Sequence, residues 1–108
     1  MGVKEMVTAT TYEVRSTSEF DRWFSRLKDK IVRRAVSVRI ARVGAGNLGD
    51  VKKIGAISEL RINTGPGYRV YFTIQNRRVV FLLVGGDKRT QQQDIELAKR
   101  LAEAVENE

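Results

Sequence analysis

Cysteine and histidine are both missing from this 108-residue chain. The first absence excludes disulfides, thiol nucleophiles and cysteine metal sites, and it fits a reducing compartment. The second removes the side chain that shuttles protons near neutral pH. Carboxylates are then the only charged metal ligands left, and alone they rarely build a zinc site, so no metal or other cofactor is expected. Any catalysis must rest on Arg, Lys, Tyr, Asp or Glu. Long apolar runs are lacking too. The longest, Val79 to Val84, is far too short to span a bilayer. The stretch Met1–Met6 has no signal-peptide core, so a soluble, cytoplasmic protein is expected, with residues 1–6 a flexible extension.

The hydrophobic share, 42%, suffices in a chain of this length for one compact core but not two. A single domain over 1–108 is therefore expected. Twenty Lys and Arg against thirteen Asp and Glu leave a net charge of +7. Such a balance favours a polyanionic partner: nucleic acid, a ribosome or an acidic protein.

Alternation of Tyr12 and Val14 with Glu13 and Arg15 predicts a first strand over Val7 to Arg15. Ser16 and Glu19 have capping-box spacing, and Phe20, Trp23, Phe24, Leu27 and Ile31 form the apolar stripe of a helix behind them. A second helix is expected from about Lys30 to Val43, with Val32, Ala35, Val36, Ile40 and Val43 inward and Arg33, Arg34, Arg39 and Arg42 mostly outward. Gly44-Ala45-Gly46-Asn47-Leu48-Gly49 spells a dinucleotide-binding fingerprint, but it follows a helix and opens none, so that reading is rejected. Three strands are predicted next: Ile57–Asn63, Tyr68–Gln75 and Arg78–Val84. A loop about Gly65 and a short Asn76-Arg77 turn join them into an antiparallel meander. After a loop at Gly85 to Arg89, Thr90 and Gln93 cap a last amphipathic helix carrying Ile95, Ala98, Leu101, Ala102 and Val105. The order βααβββα makes this an α+β domain, with a helical hairpin on one face of an antiparallel sheet and a C-terminal helix.

Side chains alternate along a strand, so Leu60 and Ile62 share one face, and Glu59 and Arg61 the other. A connection turning about Gly65 sets Arg61 directly across from Arg69. Like charges opposite each other cost stability, so the pair calls for an anion or a neighbouring carboxylate such as Glu59. Tyr71 extends the same face and is a candidate for stacking on a base. A two-residue turn at Asn76-Arg77 sets Leu82 opposite Tyr71 and Val84 opposite Arg69. Part of this face is therefore greasy and needs a cover, either the last helix or a partner protein. Lys52 and Lys53 are expected in the loop before the second strand, and Lys88 and Arg89 in the loop after the last.

Several stretches resemble one toxin family: Gly49-Asp50-Val51-Lys52-Lys53-Ile54-Gly55, Ser58-Glu59-Leu60-Arg61-Ile62, Gly65-Pro66-Gly67-Tyr68-Arg69-Val70-Tyr71-Phe72 and Leu82-Leu83-Val84-Gly85-Gly86-Asp87-Lys88. With the Gln91-Gln92-Gln93 helix start, they are similar to the HigB-like subgroup of the RelE/ParE superfamily, the addiction-module killer proteins. The resemblance implies a RelE-like fold, a helix-turn-helix antitoxin held in a hetero-oligomer, and ribosome-dependent cleavage of mRNA by 2′-hydroxyl attack on the adjacent phosphate. It also implies site residues: Arg61, Arg69 and Lys88 as catalytic groups, and Lys52, Lys53, Tyr71 and Arg89 as RNA contacts. Some relatives use histidines or a tyrosine from the final helix, and this chain has neither. An unshifted Arg or Lys is a poor base near pH 7, so alignment on the ribosome and charge stabilisation would have to supply most of the acceleration. Two alternatives remain from the sequence: a ParE-like inhibitor of DNA gyrase, and a nonenzymatic RNA- or ribosome-binding protein.

Overall fold

A computed structural model describes residues 11–106. Strand β1 (Glu13–Ser16) leads into helices α1 (Ser18–Arg26) and α2 (Lys30–Gly44). Strands β2 (Val51–Ile54), β3 (Ile57–Ile62), β4 (Tyr68–Gln75) and β5 (Val79–Asp87) follow, then a short 3-10 turn and α3 (Gln91–Glu106). The α+β architecture expected from the sequence is present. Residues 1–10, with the expected extension and the start of the predicted first strand, lie outside the described residues.

The sheet has the order β1-β5-β4-β3-β2, and it is mixed. Strands β2 to β5 form the antiparallel meander, but β1 joins its edge parallel to β5, in register Glu13 with Val79 through Ser16 with Leu82. The two helices between β1 and the meander return the chain across the sheet, so β1 need not reverse. A strand was also missed. Val51–Ile54, read as loop, pairs antiparallel with β3 through a two-residue turn at Gly55-Ala56, where Gly55 takes φ +60°. Glycine at the first position of a hairpin turn is the local signal that went unused.

Helix α1 is shorter than its stripe predicted. Thr17, not Ser16, caps it, accepting from the Phe20 N–H at 3.0 Å. The chain then leaves the helix at Leu27 and restarts after Asp29, whose carboxylate accepts from the Ile31 and Val32 N–H groups. The break moves Ile31 off the α1 face, and it is 73% exposed. In α2, Val32, Val36 and Val43 are buried as expected, while Ala35 and Ile40 are only partly covered.

Two apolar clusters lie on opposite sides of the sheet. Phe20, Val32, Val36 and Val43 pack on Leu60, Ile62, Val70, Phe72, Val80 and Leu82. On the other side Ala98, Ala102 and Val105 of α3 cover Ile57, Tyr71, Leu83 and Val84. The greasy part of the second face is thus covered by the chain's own C-terminal helix.

The β4–β5 register differs from the expectation. Asn76 and Arg77 do form a tight turn, both at positive φ, but the ladder starts at Gln75 with Val79 and slips again between Tyr71 and Phe72. Phe72 faces Leu82 and Tyr71 faces Val84, so Leu83 is the extra residue of a β-bulge. Arg69 is then opposite Gly86, not Val84. The bulge reverses the alternation: Val80 and Leu82 face the hairpin, whereas Leu83 and Val84 both serve the α3 side. It also carries β5 on through Gly85-Gly86-Asp87, read from sequence as loop. Neither glycine has room for a Cβ, which would overlap the Trp23 ring at Gly85 and the Asp94 carboxylate at Gly86. These close approaches let α1 and the start of α3 grip the end of the strand.

Candidate phosphate-binding site

The β3–β4 register places Arg61 directly across from Arg69, and Glu59 across from Tyr71, on the face shared with α3. Helix α3 covers the apolar end of that face and stops short of the arginines, leaving a basic end open.

Glu59 organises this end. Its side chain is fully buried and gathers four partners. Oε1 accepts from Arg61 Nε at 3.1 Å; Oε2 accepts from Gln91 Nε2 at 2.9 Å and from Tyr71 Oη at 3.2 Å. Arg69 Nε lies 3.5 Å from Oε2, inside ion-pair range, yet it has no hydrogen bond. Burial pushes the Glu59 carboxyl up, but the bonds from Arg61, Gln91 and Tyr71 and the charge of Arg69 outweigh it and hold the group below the usual range. Glu59 is therefore ionised at neutral pH and is a poor proton acceptor. Burial, followed by the neighbouring charge of Glu59, pushes the Tyr71 hydroxyl far above its ordinary value. Neither group is suited to acid–base work near pH 7.

Three cations, Arg61, Arg69 and Lys88, stand here against two carboxylates, Glu59 and Asp50. Asp50 stands 3.9 Å from Arg61, too far to hydrogen-bond. The uncompensated charge faces a pocket of about 230 Å³ lined by Arg61, Asn63, Gly65, Pro66, Gly67, Arg69 and Lys88. No carboxylate lines it. Lys88 enters from the 3-10 turn behind β5, which Asp87 caps by accepting from the Arg89 N–H at 2.8 Å. Gly67, at φ +88°, is the floor: a Cβ there would press on Lys88 Cε at 3.3 Å. Arg69 is 13% exposed; Arg61 is 37% exposed at the rim. Three cations around a small concave space, one of them largely buried, can hold a phosphate through charge-assisted and bidentate hydrogen bonds.

The other residues singled out in the sequence scatter. Tyr71 does not reach the surface. It is fully buried under α3 with its hydroxyl on Glu59, so stacking on a base is corrected to a supporting contact. Lys52 and Lys53 lie in β2 and not in a loop; Lys52 pairs with Glu59 and shares the arginine face, while Lys53 pairs with Ser58 and points the opposite way. Arg89 is exposed and folded back onto Asp87 at 2.9 Å, outside the pocket. Gln91 figures in the sequence only as part of the family resemblance and not as a site residue. Its only signal was its place at the start of the last helix, which does not reveal that this helix end lands on Glu59.

The model of a family described as phage-derived protein Gp49-like (DUF891) matches residues 22–103, taking in the second half of α1, all of α2, the meander and most of α3. The chain belongs to the Gp49-like family. These proteins are RelE/HigB-like and are associated with the toxins of toxin–antitoxin modules. The chain is also 47% identical over 96 residues to a Haemophilus influenzae protein described as "Uncharacterized protein", covering 88% of this chain and 97% of that one. The Gp49-like match takes in Arg61, Arg69 and Lys88 but not β1, which only completes the sheet edge. Among the described residues no helix is long and apolar enough to cross a membrane.

Proposed function

We propose that this Gp49-like chain is the toxin of a type II toxin–antitoxin module, of the HigB-like kind, and that it blocks translation by cleaving mRNA on the ribosome. The observation that carries this reading is the pocket in which three cations, Arg61, Arg69 and Lys88, converge against two carboxylates, the buried Glu59 and the more distant Asp50. In this reading a backbone phosphate sits among the three cations. The 2′-oxygen bonds to phosphorus and the bond to the 5′-oxygen breaks, leaving a 2′,3′-cyclic phosphate and a 5′-hydroxyl. The hydroxyl proton ends on the departing oxygen, by way of solvent or the ribosome. The chain's share is electrostatic: charge building on the phosphoryl oxygens meets three cations already gathered by the fold, Arg61 among them held by Glu59, so little reorganisation is needed. Lys52 on the same face would meet the strand beside the pocket. Free RNA should be cut poorly, because this site lacks a base of suitable strength and the ribosome must supply alignment.

A cytoplasmic location and a helix-turn-helix antitoxin as partner belong to this reading. Its test is a translating extract given the purified protein, with breaks in the message mapped by primer extension. Breaks that vanish in Arg69→Ala are expected. Intact message with blocked synthesis would leave only a ribosome-binding inhibitor, and toxicity retained by Arg61→Ala/Arg69→Ala would favour action on gyrase.

A further inference from the structure

A second cavity opens at the end of β5, beyond the point where β1 leaves the sheet edge. β1 pairs with β5 only as far as Leu82, and Val84, Gly85, Gly86 and Asp87 form one wall of a cleft of about 460 Å³ between α1 and α3. Trp23 lies over Gly85 from α1, and Asp94 over Gly86 from α3. Leu97 and the exposed Arg22 and Arg26 also line it. Three carboxylates reach the cleft, and two have a guanidinium beside them: Glu19 lies 3.9 Å from Arg22, and Asp87 accepts from Arg89 Nη2 at 2.9 Å. Among the described residues Asp94 has no cation within ion-pair range and one hydrogen bond, from Thr90 Oγ1 at 2.6 Å. Burial pushes its carboxyl up; the Thr90 bond opposes this, and the charge of Asp87 adds to it. A partly buried carboxylate short of donors gains when a ligand supplies them. Gly86 pairs with Arg69 across β4 and β5, and Lys88, two residues on, lines the phosphate pocket. The walls of the two cavities are therefore one strand spacing apart, roughly 5 Å.

We propose that this cleft seats a guanine base of the bound RNA, with the Asp94 carboxylate accepting from N1–H and the N2 amino group while the adjoining phosphate pocket holds the backbone. The inference rests on the RNA reading given above and adds which base the chain selects. Guanine alone among the four bases presents two adjacent donors on its Watson–Crick edge, a match for the two oxygens of a carboxylate. Adenine and cytosine each offer one donor beside a ring-nitrogen acceptor, and uracil one donor between two carbonyl oxygens. Each of these sets a lone pair against the carboxylate. Trp23, Val84 and Leu97 give a flat base apolar contact. Backbone phosphate is disfavoured in the cleft, because carboxylates outnumber cations in its lining, three to two. A cationic side chain from a partner could pair with Asp94 too, but it would have to pass Arg22 and Arg26 on a chain of net charge +7.

The test uses the purified chain and short fluorescein-labelled oligouridine RNAs with guanosine, inosine, adenosine or uridine at one central position. Inosine keeps N1–H and lacks the N2 amine, so this comparison needs no variant of the protein. Anisotropy should rank guanosine first, at least about tenfold ahead of adenosine and uridine, the low end for one bidentate base contact, with inosine between them. Asp94→Asn keeps the shape and an acceptor for Thr90, and its circular dichroism should match the parent. It should erase the guanosine preference and favour adenosine, since an amide offers one donor and one acceptor. Arg69→Ala should weaken all four RNAs alike. Titration with the guanosine RNA should move the indole N–H resonance of Trp23, the chain's one tryptophan, and the uridine RNA should leave it in place. Four results would overturn the proposal: equal binding of the four RNAs, a guanosine preference that survives in Asp94→Asn, a Trp23 resonance that does not respond, or free guanosine monophosphate binding as tightly as the guanosine RNA, which would make the cleft a site for a free nucleotide. Message breaks mapped in the translating extract separate the two readings. Breaks with no lean toward guanosine overturn the base pocket and leave the nuclease standing; a guanosine preference in binding alongside intact message leaves the base pocket standing and sinks the nuclease.

Discussion

The two faces of the sheet are built by the same central strands and completed in opposite ways. Toward the α1–α2 hairpin, Leu60, Ile62, Val70, Phe72, Val80 and Leu82 meet Phe20, Val32, Val36 and Val43 with no charge among them. Toward α3, apolar packing covers Ile57, Leu83 and Val84 and gives way to Glu59, Arg61 and Arg69. The first face needs only volume and pattern, because the hydrophobic effect has no direction. The second needs each donor and acceptor placed, because a buried carboxylate is tolerable only when paired and hydrogen-bonded. The face that was harder to complete is the one with chemical potential.

Matched truncations on the two faces test this contrast most strongly. Phe72→Ala and Glu59→Ala should each cost about 3–5 kcal/mol in urea unfolding at pH 7, the first by leaving a cavity and the second by leaving Arg69 uncompensated. They should part in acid. The folded Glu59 carboxyl titrates below its ordinary value near 4.5, so its contribution is complete above that value and lost as pH falls through the lowered one. The Glu59→Ala penalty should shrink below about pH 4 while that of Phe72→Ala stays. Equal penalties across pH would mean that Glu59 acts by packing alone.

The next effect separates function from stability on the second face. Arg69→Ala should lower message cleavage by about 10²–10³, the range for losing one preorganised oxyanion donor, with a far smaller change in unfolding midpoint. Loss of both together would make Arg69 a structural residue.

Tyr71→Phe should cost about 0.5–1.5 kcal/mol, the net value of one hydrogen bond. Its hydroxyl titrates above the ordinary value near 10 when folded, so its contribution is present below pH 10 and lost as pH rises beyond. The variant should therefore show a flatter alkaline stability profile. Smallest of all, Arg89→Ala should stay within about 0.5 kcal/mol and leave cleavage nearly intact, since its guanidinium is exposed and spent on Asp87. A large loss of activity would place Arg89 on the RNA after all.

Much of this was readable from local pattern. Alternation put Glu59, Arg61 and Arg69 on one face, and the loop centred on Gly65 set the arginine pair, as the register of β3 and β4 bears out. The errors arose where a non-local event overrode the pattern. The bulge at Leu83 reversed the faces of β5, and the Asp29 cap divided one apolar stripe between two helices. Tyr71 alternated correctly and was still misjudged, because alternation names a face and not what lies over it.

The sequence by itself determined which residues could share a surface: period-two and period-3.6 patterns are properties of the chain, as are the excess positive charge and the missing histidine. Tertiary structure alone decided which of those residues stay open to a ligand. The landing of α3 buried Tyr71, brought Gln91 onto Glu59 and left Arg61, Arg69 and Lys88 around a pocket. Burial depends on what packs from far along the chain, and no local spacing encodes that.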